Sequence, residues 1–172
     1  MDSDILLMQR MKNGDERAIE RFVQKHYADI LRYCCLHIHD RNDAEDMAQE
    51  TFAHFFRSFG NYRHVGKARN YLYVIASNCC KDFYRKKREI PMEELPDPGD
   101  RGMEDVDRWL DVRRSVDALP QELKETAILF FFQGMKQADI GKILGISLPL
   151  VKYRIRTAKE ILVKQLGQEG VT

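Results

Sequence analysis

The sequence predicts an all-α protein built as two small helical domains joined by a flexible acidic linker. Three observations carry this. Apolar residues recur at helical spacing in both halves of the 172-residue chain. No window shows sustained apolar/polar alternation bounded by turn pairs, as half-buried strands require. Between Ile90 and Asp107 the chain holds Pro91, Pro96, Pro98, Gly99 and Gly102 among many acids. Such a stretch resists regular helix and repels itself into an extended tether. The predicted organisation is residues 1–89 as one domain, 90–112 as linker and 113–172 as a second domain.

In the first domain, Ala18, Phe22, Val23, Ile30 and Leu31 lie near helical spacing. A second helix is expected to start at Asn42 or Asp43, either of which can cap it, with acids in its first turn that suit the helix dipole. Along it, Ala48, Phe52, Phe55, Phe56 and Phe59 fall at i, i+4, i+7, i+8 and i+11, one apolar stripe. Asp46, Gln49, Glu50, His54 and Arg57 fall on another face. That face is either a docking surface for a basic partner or simply wet. A third helix spans about Ala68 to Lys87, with Leu72, Ile75, Ala76, Cys79 and Phe83 inward, leaving Arg69, Tyr73, Lys81, Arg85 and Arg88 for other faces.

In the second domain, Pro120 suits the first turn of a helix running to about Gln133, and Gly134 the position just past its end. Lys136 or Gln137 starts another helix, ending at Gly145. Ser147 can cap the last helix, which carries Pro149 in its first turn and runs to about Leu166. Residues 136–161 thus form a helix, a tight Gly145-Ile146-Ser147 turn and a second helix whose Val151, Ile155, Ala158 and Leu162 face a core. Ser147, Leu148, Leu150, Lys152, Tyr153, Arg154, Arg156 and Lys159 are left for solvent or a ligand. This is a helix-turn-helix pattern, which sets the second helix in a major groove; a plain helical hairpin is the bland alternative.

Charge is segregated. The net +1 hides 8 basic and 11 acidic groups in residues 1–60, 8 basic and 1 acidic in 61–88, 2 basic and 8 acidic in 91–111, and 7 basic and 2 acidic in 136–164. Two basic segments around an acidic one suggest two contacts with a polyanion. The loop Gly60–Lys67 and the helix after it combine aromatic and planar groups, which can hold an unstacked base, with cations that neutralise phosphates. Asn61, Tyr62, Arg63, His64, Lys67, Arg69, Tyr73, Asn78, Lys81, Arg85 and Arg88 are the candidates, although Asn78 could equally serve packing.

Other chemistry has little purchase. No phosphate loop, dinucleotide fingerprint, zincin motif or nucleophile elbow occurs, so no enzyme class is indicated. The cluster Cys34, Cys35, His37 and His39 has spacings that could serve Zn²⁺, but none matches a standard finger, and no cofactor or metal is expected. No apolar run approaches the roughly 20 residues that span a bilayer. The acidic start is wrong for a signal peptide, so membrane insertion is not expected and a cytoplasmic location is.

The motifs in order resemble the extracytoplasmic-function (ECF) type of bacterial RNA polymerase sigma factor. Asp43-Ala44-Glu45-Asp46-Met47-Ala48-Gln49-Glu50-Thr51-Phe52 resembles its region 2 helix, which in that family binds the clamp coiled coil of the polymerase beta-prime subunit. The resemblance implies that Asp46, Gln49 and Glu50 contact polymerase. Tyr71-Leu72-Tyr73, Ile75-Ala76, Asn78, Asp82, Arg85 and Arg88 resemble the element that melts and reads the −10 box, with Tyr71 where Trp is frequent. Ala118-Leu119-Pro120, the apolar run Leu129 to Phe132, Gly134 and the helix-turn-helix resemble region 4, the reader of the −35 box. Gly141, Leu150 and Thr157 stand where Ala, Thr and Arg are usual. The resemblance implies a promoter-reading subunit with core RNA polymerase (beta-prime clamp and beta flap), promoter DNA and an anti-sigma factor as partners. A regulator that uses its helix-turn-helix without polymerase is the competing reading; it has no need of the Asp46/Gln49/Glu50 face.

Overall fold

The computed structural model describes residues 3–61, 67–89 and 106–169. The chain divides into two compact units, one within residues 1–99 and the other within residues 100–172. The regular elements among the described residues are all helical. No described helix is long and apolar enough to cross a membrane.

The first unit contains α1 (Ser3–Lys12), α2 (Glu16–His37), α3 (Arg41–Ser58), a 3₁₀ turn (Phe59–Asn61) and α4 (Ala68–Glu89). Helix α1 ends where Gly14 takes φ +81°, a left-handed conformation that costs glycine little. Asp15 then caps α2, its carboxylate accepting the backbone N–H groups of Arg17 and Ala18. Helix α3 is capped by Asp40, which accepts the Asp43 N–H at 3.0 Å, rather than by Asn42 or Asp43. The chain leaves α2 extended at Ile38, so the helix can restart two residues earlier than periodicity alone suggests.

The core of this unit is aromatic. Phe22 stacks on Phe55 with ring centroids 5.0 Å apart, and Phe55 in turn meets Phe56 at 5.5 Å and Tyr71 at 5.7 Å. Ala18, Ile30, Ala44, Ala48 and Phe52 are buried with them. Small residues at 44 and 48 let α3 approach closely, and the large rings fill the space beside them.

The second unit contains α5 (Val106–Asp117), α6 (Gln121–Ala127), a π-helical turn (Ile128–Phe132), α7 (Gln137–Leu144) and α8 (Leu148–Glu169). Residues 106–112, expected in the linker, are therefore the first turns of a helix. The helix breakers end at Gly102, and Val116, buried, with Val112 half-buried beside it, then gives the segment an apolar side to set against α6 and α8. The expectation for residues 90–105 lies outside the described residues. The helix predicted from Pro120 to Gln133 is α6 plus the π turn, with the Gln133 N–H donating to the Ile128 carbonyl five residues back. Gly134 follows at φ +63°, in the left-handed region that ends helices. Leu119, Leu123, Ala127, Ala158 and Leu162 form the buried cluster beneath α8.

Candidate functional site

Three surfaces carry the candidate residues. The first is the outer face of α3. Asp46, Gln49, Glu50, His54 and Arg57 are all exposed, while Ala44, Ala48, Thr51, Phe52 and Phe55 are buried. The helix thus separates into the two faces its periodicity implied. Arg57 closes onto Glu50, Nη2 to Oε1 at 2.8 Å, so the acidic end of the face runs into a cation at the other. Both groups are well exposed, so this pair holds Glu50 loosely.

The second surface is α4 and the loop before it. Asn78, Lys81 and Arg85 are exposed at i, i+3 and i+7, one continuous stripe, and Arg85 pairs with Asp82 at 3.4 Å. Lys67 is exposed at the start of α4. Tyr62, Arg63 and His64 lie outside the described residues, as do the side chains of Asn61 and Arg88. Tyr73 is a correction: it is fully buried, with its ring 5.4 Å from that of Tyr33 in an edge contact. Burial pushes its phenol above the ordinary tyrosine range. Arg69 is also turned inward, half-buried with its guanidinium 5.6 Å from the Tyr73 ring centroid. The physical reason is that α4 packs against both α2 and α3. It needs a second inward row, which Tyr73, Cys80 and Tyr84 supply at i, i+7 and i+11. Tyr84 locks the row by donating its hydroxyl to the His37 carbonyl at the end of α2.

The third surface is the helix-turn-helix. Gly145 takes φ +67° and ends α7, with the Ile146 N–H on the Gly141 carbonyl at 3.0 Å. The Ser147 hydroxyl accepts the Leu150 N–H at 3.4 Å, and the Ser147 carbonyl the Val151 N–H at 3.0 Å, which starts α8. Val151, Ile155, Ala158 and Leu162 are buried as their spacing requires. Ser147, Leu148, Lys152, Tyr153, Arg156 and Lys159 are exposed; Leu150 and Arg154 are half-buried. Leu148 and Tyr153 are 42% and 54% exposed. Thr157 donates its hydroxyl to the Tyr153 carbonyl at 2.9 Å, a bond within the helix.

Cys34, Cys35 and Cys80 are buried thiols, Cys79 is half-buried, and none is in a disulfide. Burial raises the Cys79 thiol above its ordinary range. Among the described residues no cluster of three or more His, Cys, Asp or Glu could hold a metal ion. One polar site escaped the sequence reading. Asp4 of α1 is buried against α2, its carboxylate 2.6 Å from Lys25 Nζ and 3.1 and 3.2 Å from His26 Nε2. A carboxylate only accepts, so Nε2 carries the proton. The signal was present: Asp4 shares a helical face with Met8 and Met11, and an acid on an apolar face needs a partner.

Residues 22–90 match the family Sigma-70 region 2, and residues 109–162 match Sigma-70, region 4. The chain belongs to the sigma-70 family and is of the ECF type. Among this sigma factor's relatives, the RNA polymerase sigma-H factor of Pseudomonas aeruginosa is 28% identical over 96% of this chain and 94% of its own. The ECF RNA polymerase sigma factor SigE of Mycolicibacterium smegmatis is 30% identical over 91% of this chain and 66% of its own. The structure of CnrH in complex with the cytosolic domain of CnrY superposes with a TM-score of 0.79 at 22% identity, over 97% of this chain and 99% of that one. The matched regions place the α3 face and α4 in region 2 and the helix-turn-helix in region 4.

Proposed function

We propose that this sigma factor binds core RNA polymerase through α3, holds the opened −10 element on α4 and the loop before it, and reads the −35 element with α8. The observation that carries the reading is the coexistence, in one chain, of an exposed acid–amide face on α3 and an exposed basic recognition helix. A free-standing repressor has use for the second alone. Asp46, Gln49 and Glu50 supply the polymerase contact. Asn78, Lys81 and Arg85 form the phosphate- and base-facing stripe of α4, joined by Lys67 and by Asn61, Tyr62, Arg63, His64 and Arg88. Lys152, Arg156 and Lys159 meet phosphates or guanine edges, while Leu148 and Tyr153 give apolar contact to base edges, thymine methyls included.

The chain acts in the cytoplasm as a non-catalytic subunit; polymerase performs the chemistry. Residues 90–105 tether the two readers so that one chain reaches both boxes. An anti-sigma factor holds the chain silent until its signal arrives. CnrH, of the same fold, is in complex with the cytosolic domain of CnrY in its structure, which supports a surface of this fold closing on a partner.

The test is transcription by purified core polymerase on a random-promoter library, with and without the chain. Enrichment of one −35/−10 pair with a fixed spacer is expected. Unchanged initiation on every template overturns the reading.

A further inference from the structure

The acidic balance of residues 1–60 conceals a basic stripe. On α2, Arg17, Arg21, Lys25 and Arg32 fall within about 80° of one another at 100° per residue. All four are exposed, with only Ala28 between them on that face. Glu20 and Asp29 fall to either side, Asp29 reaching Arg32 at 3.8 Å. The row is about 22 Å long, some four helical turns. Arg17 and Arg21 make no ion pair among the described residues. Lys25 shares its ammonium with Asp4, and Arg10 of α1 with Asp15.

Beside this stripe, α1 and α2 enclose a groove of about 360 Å³ lined by Leu6, Leu7, Arg10, Arg21 and Lys25. Leu6 is 49% exposed on its floor. Cations rim an apolar floor. We propose that this groove and stripe form a docking site for an acidic amphipathic helix of a protein partner, with aliphatic side chains on Leu6 and Leu7 and carboxylates along Arg10, Arg17, Arg21 and Lys25. Charge complementarity selects an anionic occupant. The leucine floor selects a peptide over a nucleic acid, because a phosphate backbone has nothing apolar to place there. The length of the stripe matches a helix of about 15 residues. None of these residues belongs to the polymerase or promoter surfaces, so the site stands or falls independently of the proposed function.

The test uses the full chain and a fluorescein-labelled 18-residue helical peptide with leucine on one face and glutamate on the rows beside it, followed by anisotropy. A second peptide replaces leucine by serine at the same charge, and an 18-base-pair duplex serves as competitor. Saturable binding is expected, weakened at least tenfold by Leu6→Ser, by Arg21→Gln, or by the serine peptide. Both substituted residues are solvent-facing, so melting temperature and promoter-dependent transcription are expected to stay at wild-type levels. Equal binding of the serine peptide, binding indifferent to both variants, or absence of binding overturns the proposal. So does a duplex that displaces the peptide and itself depends on Arg21, which would make the face a nucleic-acid surface. The serine-peptide comparison is made on the wild-type chain and holds whatever the variants' stability.

Discussion

A β-carbon on Gly141 would lie 3.0 Å from the carbonyl oxygen of Ile146, with Val151 Cγ2 at 3.6 Å. Helix α7 therefore presses directly on the turn that launches α8. Alanine gains about 1 kcal/mol of helix propensity over glycine, which a few tenths of an ångström of adjustment offsets. Gly141→Ala is expected to leave stability within about 1 kcal/mol of wild type. Gly141→Val pushes the turn outward and should cost about 1–3 kcal/mol, with loss of −35 duplex binding. Denaturant melts and a duplex gel-shift on both variants check this.

The Asp4 carboxylate is held at a pKa of about 2. Burial alone would raise it, but hydrogen bonds from His26 and Lys25 more than reverse that effect. The folded value lies below the ordinary 3.8, so the stabilisation is present above pH 3.8 and is lost as pH falls through about 2. Asp4→Asn should therefore cost about 2 kcal/mol at pH 7. The gap between variant and wild type should close towards pH 2. Urea denaturation at both pH values measures it.

Gln49→Ala with Glu50→Ala should weaken core polymerase binding at least tenfold. Both side chains are exposed, so stability should move by no more than about 0.5 kcal/mol. Loss of binding together with a lowered melting temperature would assign these residues to the fold instead.

Lys152→Ala and Arg156→Ala should each reduce the slope of log affinity against log salt by about 1 where the residue meets a phosphate. A residue that meets a base edge should instead relax one position of the −35 box, at about 1–3 kcal/mol. Titrations at several salt concentrations on matched and mismatched duplexes separate the two.

Tyr73 tests the packing of α4. Tyr73→Phe keeps the ring and should retain promoter opening within about twofold, since the side chain is wholly buried. Tyr73→Ala removes a wholly buried ring and should destabilise region 2 by about 3–5 kcal/mol. Permanganate footprinting of the −10 region and thermal melts distinguish packing from base reading.

What was legible in the sequence follows from how many sides of each helix are buried. Helices α3 and α8 bury one stripe each, so Ala48, Phe52 and Phe55, and Val151, Ile155, Ala158 and Leu162, stood out at single-stripe spacing. Helix α4 packs on two sides, and the second row hid Tyr73 among candidates for DNA. The α5 start was masked because acids continue past the last helix breaker, Gly102, up to Asp107. Asp4 and His26 are 22 residues apart, a pairing that no local pattern encodes. The basic stripe of α2 was averaged away by acids on its flanks.

The launch of α8 is set by Gly145, Ser147 and the closeness of Gly141, none of which sits on the outer face of that helix. Seating and spelling are thus written in different letters. If the proposed reading holds, the residues at 148, 152, 153 and 156 can be exchanged for a new target site while the scaffold beneath stays indifferent to the change, which makes this module an inexpensive place for regulatory innovation.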